Sequence, residues 1–145
     1  MLIVDDNMFN IEMLRELVLA HGNTSDIALS GKDAVNIVTS RLNSLHSSQK
    51  AAVSMYKLIL VDYSMPEMDG PALVKRIKEL MSNNVVQAGQ PGNTPYICCC
   101  SAYDDIDFKR QAEEAGMQSF LTKPVTWEEI RSVLKTSGLP FDQNV

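Results

Sequence analysis

Asp5 and Asp6 close the apolar run Leu2-Ile3-Val4, and Asp62 closes Leu58-Ile59-Leu60-Val61. Ser101-Ala102 follows Cys98-Cys99-Cys100, and Lys123-Pro124 follows Leu121-Thr122. If each run is a strand of one parallel sheet, these residues converge in the crevice outside its carboxyl ends, where such sheets bind ligands. Two carboxylates 4 Å apart repel by ~4 kcal/mol at an effective dielectric near 20, so three in one place call for a cation. A hard divalent ion with oxygen ligands answers this; Mg2+ typically rests on one or two carboxylates plus phosphate oxygens and water. Lys123 adds a point charge suited to a phosphate oxygen. An ionised Asp62 needs no base to attack phosphorus and form an aspartyl phosphate. Such transfer depends mainly on positioning and electrostatics, so a metal, an ammonium and a hydroxyl are a sufficient set. Taken singly, an Asp after a strand caps the next helix and Lys-Pro punctuates a turn. Capping gives no reason for all four kinds to stand in this order.

The elements that would position these groups alternate. Strands are expected up to Val4, near Ser25–Leu29, and at Tyr56–Val61, Tyr96–Cys100 and Met117–Leu121. Helices are expected near Met8–Ala20, Lys32–Leu42, Pro71–Met81, Asp105–Ala115 and Trp127–Lys135. Five strands each followed by a helix imply an α/β domain, a parallel sheet covered on both faces. The third and fourth strands are apolar without alternation, as strands buried on both sides are. In the first helix Ile11, Leu14, Leu17 and Val18 recur at helical spacing, with Gly22 as a stop beyond them and His21 as a helix-end residue. Ser30-Gly31-Lys32-Asp33 and Thr126-Trp127-Glu128-Glu129 match the capping-box pattern. Two polar connections, 43–55 and 82–95, exceed the usual few residues and are expected to be surface insertions; His46 falls in the first, isolated from other candidate ligands.

A chain of 145 residues, 45% hydrophobic and 21% charged, suits one compact domain. The expected boundaries are 1–138 for the domain and 139–145 for a C-terminal tail. A net charge of −5 offers no sequence-independent attraction to a phosphate backbone, so nucleic-acid binding is not expected. No stretch approaches the ~20 apolar residues of a membrane span, and the opening apolar run is too short for a signal peptide. No membrane insertion and a cytoplasmic location are expected, the latter including the intracellular part of a larger membrane-bound kinase. Cys98, Cys99 and Cys100 are consecutive, which suits buried thiols in a strand rather than a disulfide framework or metal clip.

Val4-Asp5-Asp6-Asn7, Val61-Asp62-Tyr63-Ser64-Met65-Pro66-Glu67-Met68-Asp69-Gly70, Ser101-Ala102 and Lys123-Pro124 stand in the order of the landmarks of response-regulator receiver domains, and over essentially its whole length the chain resembles that two-component signalling family. The resemblance implies a flavodoxin-like (βα)5 fold with strand order 2-1-3-4-5. It implies that Asp62 is the phosphoacceptor, and that Asp6, Asp62 and the backbone carbonyl of Ser64 ligate Mg2+, or Mn2+ in its place, with Asp5 acting mostly through water. Ser101, Ala102 and Lys123 would contact the phosphoryl group, Ser101 and Phe120 would form the switch, and Ser64 and Tyr103 would tune the lifetime of the modified state. The implied donor is a histidine kinase or a histidine phosphotransfer protein. The implied output partner reads the face of the fourth helix, fifth strand and fifth helix. The wording of Val61–Gly70 and the two insertions are more like receivers attached to eukaryotic hybrid kinases, so a fragment of such a kinase is one form the chain could take.

Two other classes compete. A Mg2+-dependent aspartyl-phosphate phosphohydrolase would start from the same Asp62 chemistry, but those enzymes present a second aspartate two residues later, where this chain has Ser64. A non-phosphorylated interaction module on the same fold predicts gaps in the acid, hydroxyl and lysine set, and the set is whole.

Overall fold

The computed structural model describes residues 1–46, 54–83 and 94–144. Among the described residues ten elements alternate strictly: β1 (Leu2–Val4), α1 (Met8–Ala20), β2 (Asp26–Ala28), α2 (Gly31–His46), β3 (Leu58–Asp62), α3 (Gly70–Asn83), β4 (Tyr96–Ser101), α4 (Ile106–Ala115), β5 (Ser119–Thr122) and α5 (Trp127–Thr136). The strands form one parallel sheet in the order β2-β1-β3-β4-β5, the flavodoxin-like arrangement.

Side chains alternate across each strand, so every strand divides its residues between two cores. Leu2, Val4, Ile59, Val61, Ile97 and Cys99 face α2, α3 and α4, meeting Val38, Leu73, Val74, Ile77 and Ala112. Ile3, Leu58, Leu60, Cys98, Cys100 and Leu121 face α1 and α5, meeting Ile11, Leu14, Val18, Ile130 and Leu134. All of β3 is buried, which is why its sequence shows no polar alternation. The three cysteines are free and buried, shared between the two faces.

Helix ends follow the capping chemistry. Thr126 and Glu129 make a complete capping box at α5, and Ser30 Oγ accepts the Asp33 N–H at 3.1 Å to start α2. α1 ends in a left-handed Gly22 with paired bonds Gly22 N–H to Leu19 O and Asn23 N–H to Val18 O.

Some boundaries differ from expectation. α2 runs to His46 rather than Leu42, because Leu42 and Leu45 continue the apolar stripe onto the core and Ser44 bonds back to Ser40 O. β5 starts at Ser119 rather than Met117. The turn at Gly116 occupies Met117, and Gln118 meets β4 partly through its side chain, whose Oε1 accepts the Ile97 N–H at 2.7 Å. α3 continues to Asn83. The remainder of the two expected insertions, 47–53 and 84–93, lies outside the described residues.

Candidate functional site

Strand register brings the polar residues to one edge. Val4 is level with Val61, Asp62 with Cys100, and Ser101 with Thr122. Backbone bonds carry the ladder one residue past the strands: Asp5 N–H to Ala28 O at 3.2 Å, Tyr63 N–H to Cys100 O at 2.9 Å and Lys123 N–H to Ser101 O at 2.7 Å. Asp5, Asp62, Ser101 and Lys123 therefore leave a rigid sheet at neighbouring points, although they are distant in sequence.

Lys123 Nζ donates to Asp5 Oδ2 at 2.5 Å and to Asp62 Oδ1 at 2.6 Å. Asp5 is 1% exposed and Asp62 7%. Each of Asp5, Asp6 and Asp62 can offer a carboxylate oxygen within 4.8 Å of the others. An open cavity of about 530 Å3 is lined by Asp6, Asp62, Ser64, Ser101, Ala102, Tyr103 and Lys123, joined by Asn7, Asn10 and Pro124. Burial raises the Asp62 carboxyl above the ordinary carboxylate range; the Lys123 ammonium opposes that rise, while Asp5 and Asp6 add to it. For Lys123, burial works to lower the ammonium, but its bonds to Asp5 and Asp62 outweigh that and hold it raised.

A salt-bridged carboxylate would ordinarily be lowered. Asp62 is not, first because it is buried and then because three carboxylates share the site with one ammonium. The two uncompensated negative charges equal the charge of one divalent cation, and every donor is a hard oxygen, so the residues fit Mg2+. Asp6 is exposed and free to face such an ion, whereas Asp5 is committed inward: Oδ1 accepts the Asn7 N–H at 2.8 Å and Asn10 Nδ2 at 3.2 Å, and Oδ2 holds Lys123.

Ser101 is buried and its Oγ accepts the Tyr103 N–H at 3.0 Å. Tyr103, 59% exposed, stacks on Phe108 of α4 at 5.7 Å between ring centroids. Phe108 in turn meets the ring of Tyr63 edge-on at 4.7 Å. Phe120 does not line the cavity; it packs on the core shared with α2, α3 and α4, with Lys109 Nζ 5.5 Å above its ring. The thiols beside the site are poor nucleophile candidates, since burial pushes Cys99 up to about 12 and Cys100 lies well above the ordinary thiol value through its bond with Cys98 and its burial. Sequence reasoning passed over Asn7 and Asn10. Asn7 is the N-cap of α1, its side chain accepting from the Phe9 N–H. Asn10 stands one turn before Leu14 on the stripe that otherwise faces the core, and a polar residue there was the available signal.

Fold and site together define a class: a doubly wound domain whose strand ends gather three acids, a hydroxyl and a lysine. The sequence profile of the family described as "Response regulator receiver domain" matches residues 1–135, and the chain belongs to that family, a signalling domain of two-component phosphorelay systems. Among its relatives, "Hybrid signal transduction histidine kinase B" of Dictyostelium discoideum is 30% identical over 89% of this chain and 6% of the relative. "Two-component response regulator 24" of Arabidopsis thaliana is 29% identical over 92% of this chain and 79% of the relative. The chain thus spans a small part of the hybrid kinases it matches and most of the response regulator. Among solved structures, a mutant of the receiver domain of the histidine kinase CKI1 from Arabidopsis thaliana superimposes with a TM-score of 0.77 at 25% identity, covering 92% of this chain and 88% of that one. Chemotaxis protein CheY4 of Vibrio cholerae, at 19% identity and a TM-score of 0.70, shares the fold over 94% of this chain and 95% of that one. Among the described residues no helix is long and apolar enough to cross a membrane.

Proposed function

We propose that Asp62 accepts a phosphoryl group from a phosphohistidine on a histidine kinase or phosphotransfer protein, with Mg2+ held by Asp6, Asp62 and the backbone carbonyl of Ser64. The observation that carries this reading is the Lys123 ammonium, bonded at once to Asp62 and Asp5 while two negative charges in the cluster stay unmatched. The divalent ion would supply charge neutralisation at the phosphoryl oxygens. Asp62 attacks phosphorus with one carboxylate oxygen as the bond from phosphorus to the imidazole nitrogen breaks, and the imidazole leaves with that electron pair. Lys123 then pairs with a phosphoryl oxygen, and the Ser101 hydroxyl, which uses an oxygen lone pair on Tyr103, still has its proton to donate to another.

The switch follows from that hydroxyl. Moving Ser101 toward the phosphoryl group draws Tyr103 with it and opens space toward Phe120, which shifts the populations of the α4, β5 and α5 face that an output partner reads. Tyr103 stands at the mouth of the cavity and hinders the hydrolytic water, giving a modified state that lasts minutes or more. Decay within seconds in the presence of Mg2+ would reject that lifetime.

Incubation with acetyl phosphate or phosphoramidate and Mg2+, followed by intact-protein mass spectrometry, tests the assignment. A labile phosphoryl adduct is expected, abolished by Asp62→Asn and prevented by a chelator. An adduct that survives Asp62→Asn would place the chemistry elsewhere.

A further inference from the structure

The carboxylate of Asp5 is buried and bonded at both oxygens. Oδ2 takes the ammonium at 2.5 Å, while Oδ1 is held from the other side by the Asn7 backbone N–H at 2.8 Å and the Asn10 side-chain amide at 3.2 Å. The Asn7 bond comes with the first turn of α1 and needs no particular side chain there. The Asn10 bond is a side-chain choice at a half-buried position, made with a residue that ranks among the poorer helix formers. Asn10 also forms part of two adjoining cavity walls, that of the acidic cavity and that of a smaller apolar one of about 90 Å3 lined by Met13, Leu14, Leu17 and Val125. A leucine would fit that apolar side without giving Asp5 a donor.

We propose that Asn10 is a positioning residue of the acidic site, clamping Asp5 Oδ1 so that Oδ2 keeps the Lys123 ammonium beside Asp62 and leaves Asp6 and Asp62 to the cation. The inference rests on the reading of that site given above. Groups that fix the orientation of a carboxylate next to a metal commonly govern affinity by roughly 10–100-fold. Asn10 would do so by keeping Asp5 in a single rotamer, with its charge directed at Lys123 rather than competing for the ion.

Two readouts test the clamp in the full chain, with Asn10→Leu as the principal variant and Asn10→Ser, whose hydroxyl falls short of Asp5, as the second. In metal-free protein the Lys123 ammonium protons are expected to exchange slowly enough to be seen by NMR, and both variants are expected to lose that signal. In a titration with Mg2+ followed by backbone amide shifts, both variants are expected to bind roughly tenfold more weakly. That loss should vanish when Asp5→Asn is already present, because Asn10 then has no carboxylate to direct. An unchanged ammonium signal, or the same loss of Mg2+ affinity with and without Asp5→Asn, would overturn the clamp and reduce Asn10 to a packing residue. The Asp62 assignment fails separately: a wild-type chain with the protected ammonium that takes up no phosphoryl group sinks that assignment and leaves the clamp standing.

Discussion

The surroundings of Asp62 resist its ionisation. Burial raises its carboxyl, so the folded chain holds a proton on Asp62 more tightly than the unfolded chain does. The stability this contributes is complete below the ordinary carboxylate value and is lost as pH rises through the raised folded one. At neutral pH without a divalent ion, Asp62→Asn is therefore expected to melt above wild type, by roughly 2–4 °C for each kcal/mol relieved. The gap should close on acidification to about pH 4. Mg2+ should reverse the order, since its charge favours the ionised acid; a variant that melts lower at neutral pH with no pH dependence would contradict this account. Lys123 is raised, so its contribution is complete below the ordinary lysine value and lost only as pH rises through the elevated one. Lys123→Met leaves the acids unbalanced and should cost roughly 3 kcal/mol in denaturant unfolding. Mg2+ should restore part of that loss, and no loss in either condition would argue that water already screens the cluster. These residues are legible in the sequence because each ends an apolar run, and a parallel sheet delivers such ends to one place. Asn10 is not, since its reach to Asp5 depends on the path of α1 rather than on a strand end.

At the scale of elements, the tightest constraint falls where α3 meets the strand carrying Asp62. Gly70 opens α3 and donates its N–H to Tyr63 O at 2.9 Å; a Cβ there would lie 2.5 Å from Asp62 O and 3.1 Å from Tyr63 Cα. Both neighbours are backbone, so neither yields by a rotamer change. Gly70→Ala should cost roughly 1–3 kcal/mol and also slow phosphoryl uptake, because the displaced atoms belong to the acceptor and its neighbour. Gly22→Ala is the control: φ is +77° and no atom lies within 4 Å of the added carbon, so it should lower stability while leaving uptake unchanged. Equal effects of the two substitutions on uptake would refute the distinction. Element order was readable from hydrophobic periodicity, and the bounds of α1 were readable as well from the spacing of Ile11, Leu14, Leu17 and Val18 and the stop at Gly22. The far ends of α2 and α3 were not. There the sequence turns polar; in α2 Leu45 still reaches the core, so tertiary packing extends that helix past the point where composition suggests a loop, and α3 runs two residues past Met81.

Across the whole molecule, the two ends of the sheet have different work. The acidic site occupies the carboxyl ends of the strands, and the last described segment closes the opposite end. Leu139 and Phe141 pack against the core under α1 and α5, Asn23 Nδ2 donates to Pro140 O at 2.7 Å, and His21 Nδ1 accepts the Asp142 N–H at 3.1 Å. Both Asn23 and His21 are buried, and Lys57, just before β3, reaches Gly138 O at 3.4 Å. Removing 139–145 would take away the apolar side chains of Leu139 and Phe141, uncover the core surface they cover, and cost the buried Asn23 and His21 one hydrogen bond each. Renewed access to water offsets part of the polar loss, leaving an expected cost of about 2–4 kcal/mol. Comparison of residues 1–138 with the full chain in urea should show a lower midpoint. Because no described residue of this segment lines the acidic cavity, Mg2+-dependent phosphoryl uptake by the folded truncated chain should match that of the full chain. An unchanged midpoint would make 139–145 a dispensable tail, as the sequence alone suggests. A loss of uptake under conditions where both chains are folded would mean that the two ends of the sheet are coupled, which two separate packed ends do not predict.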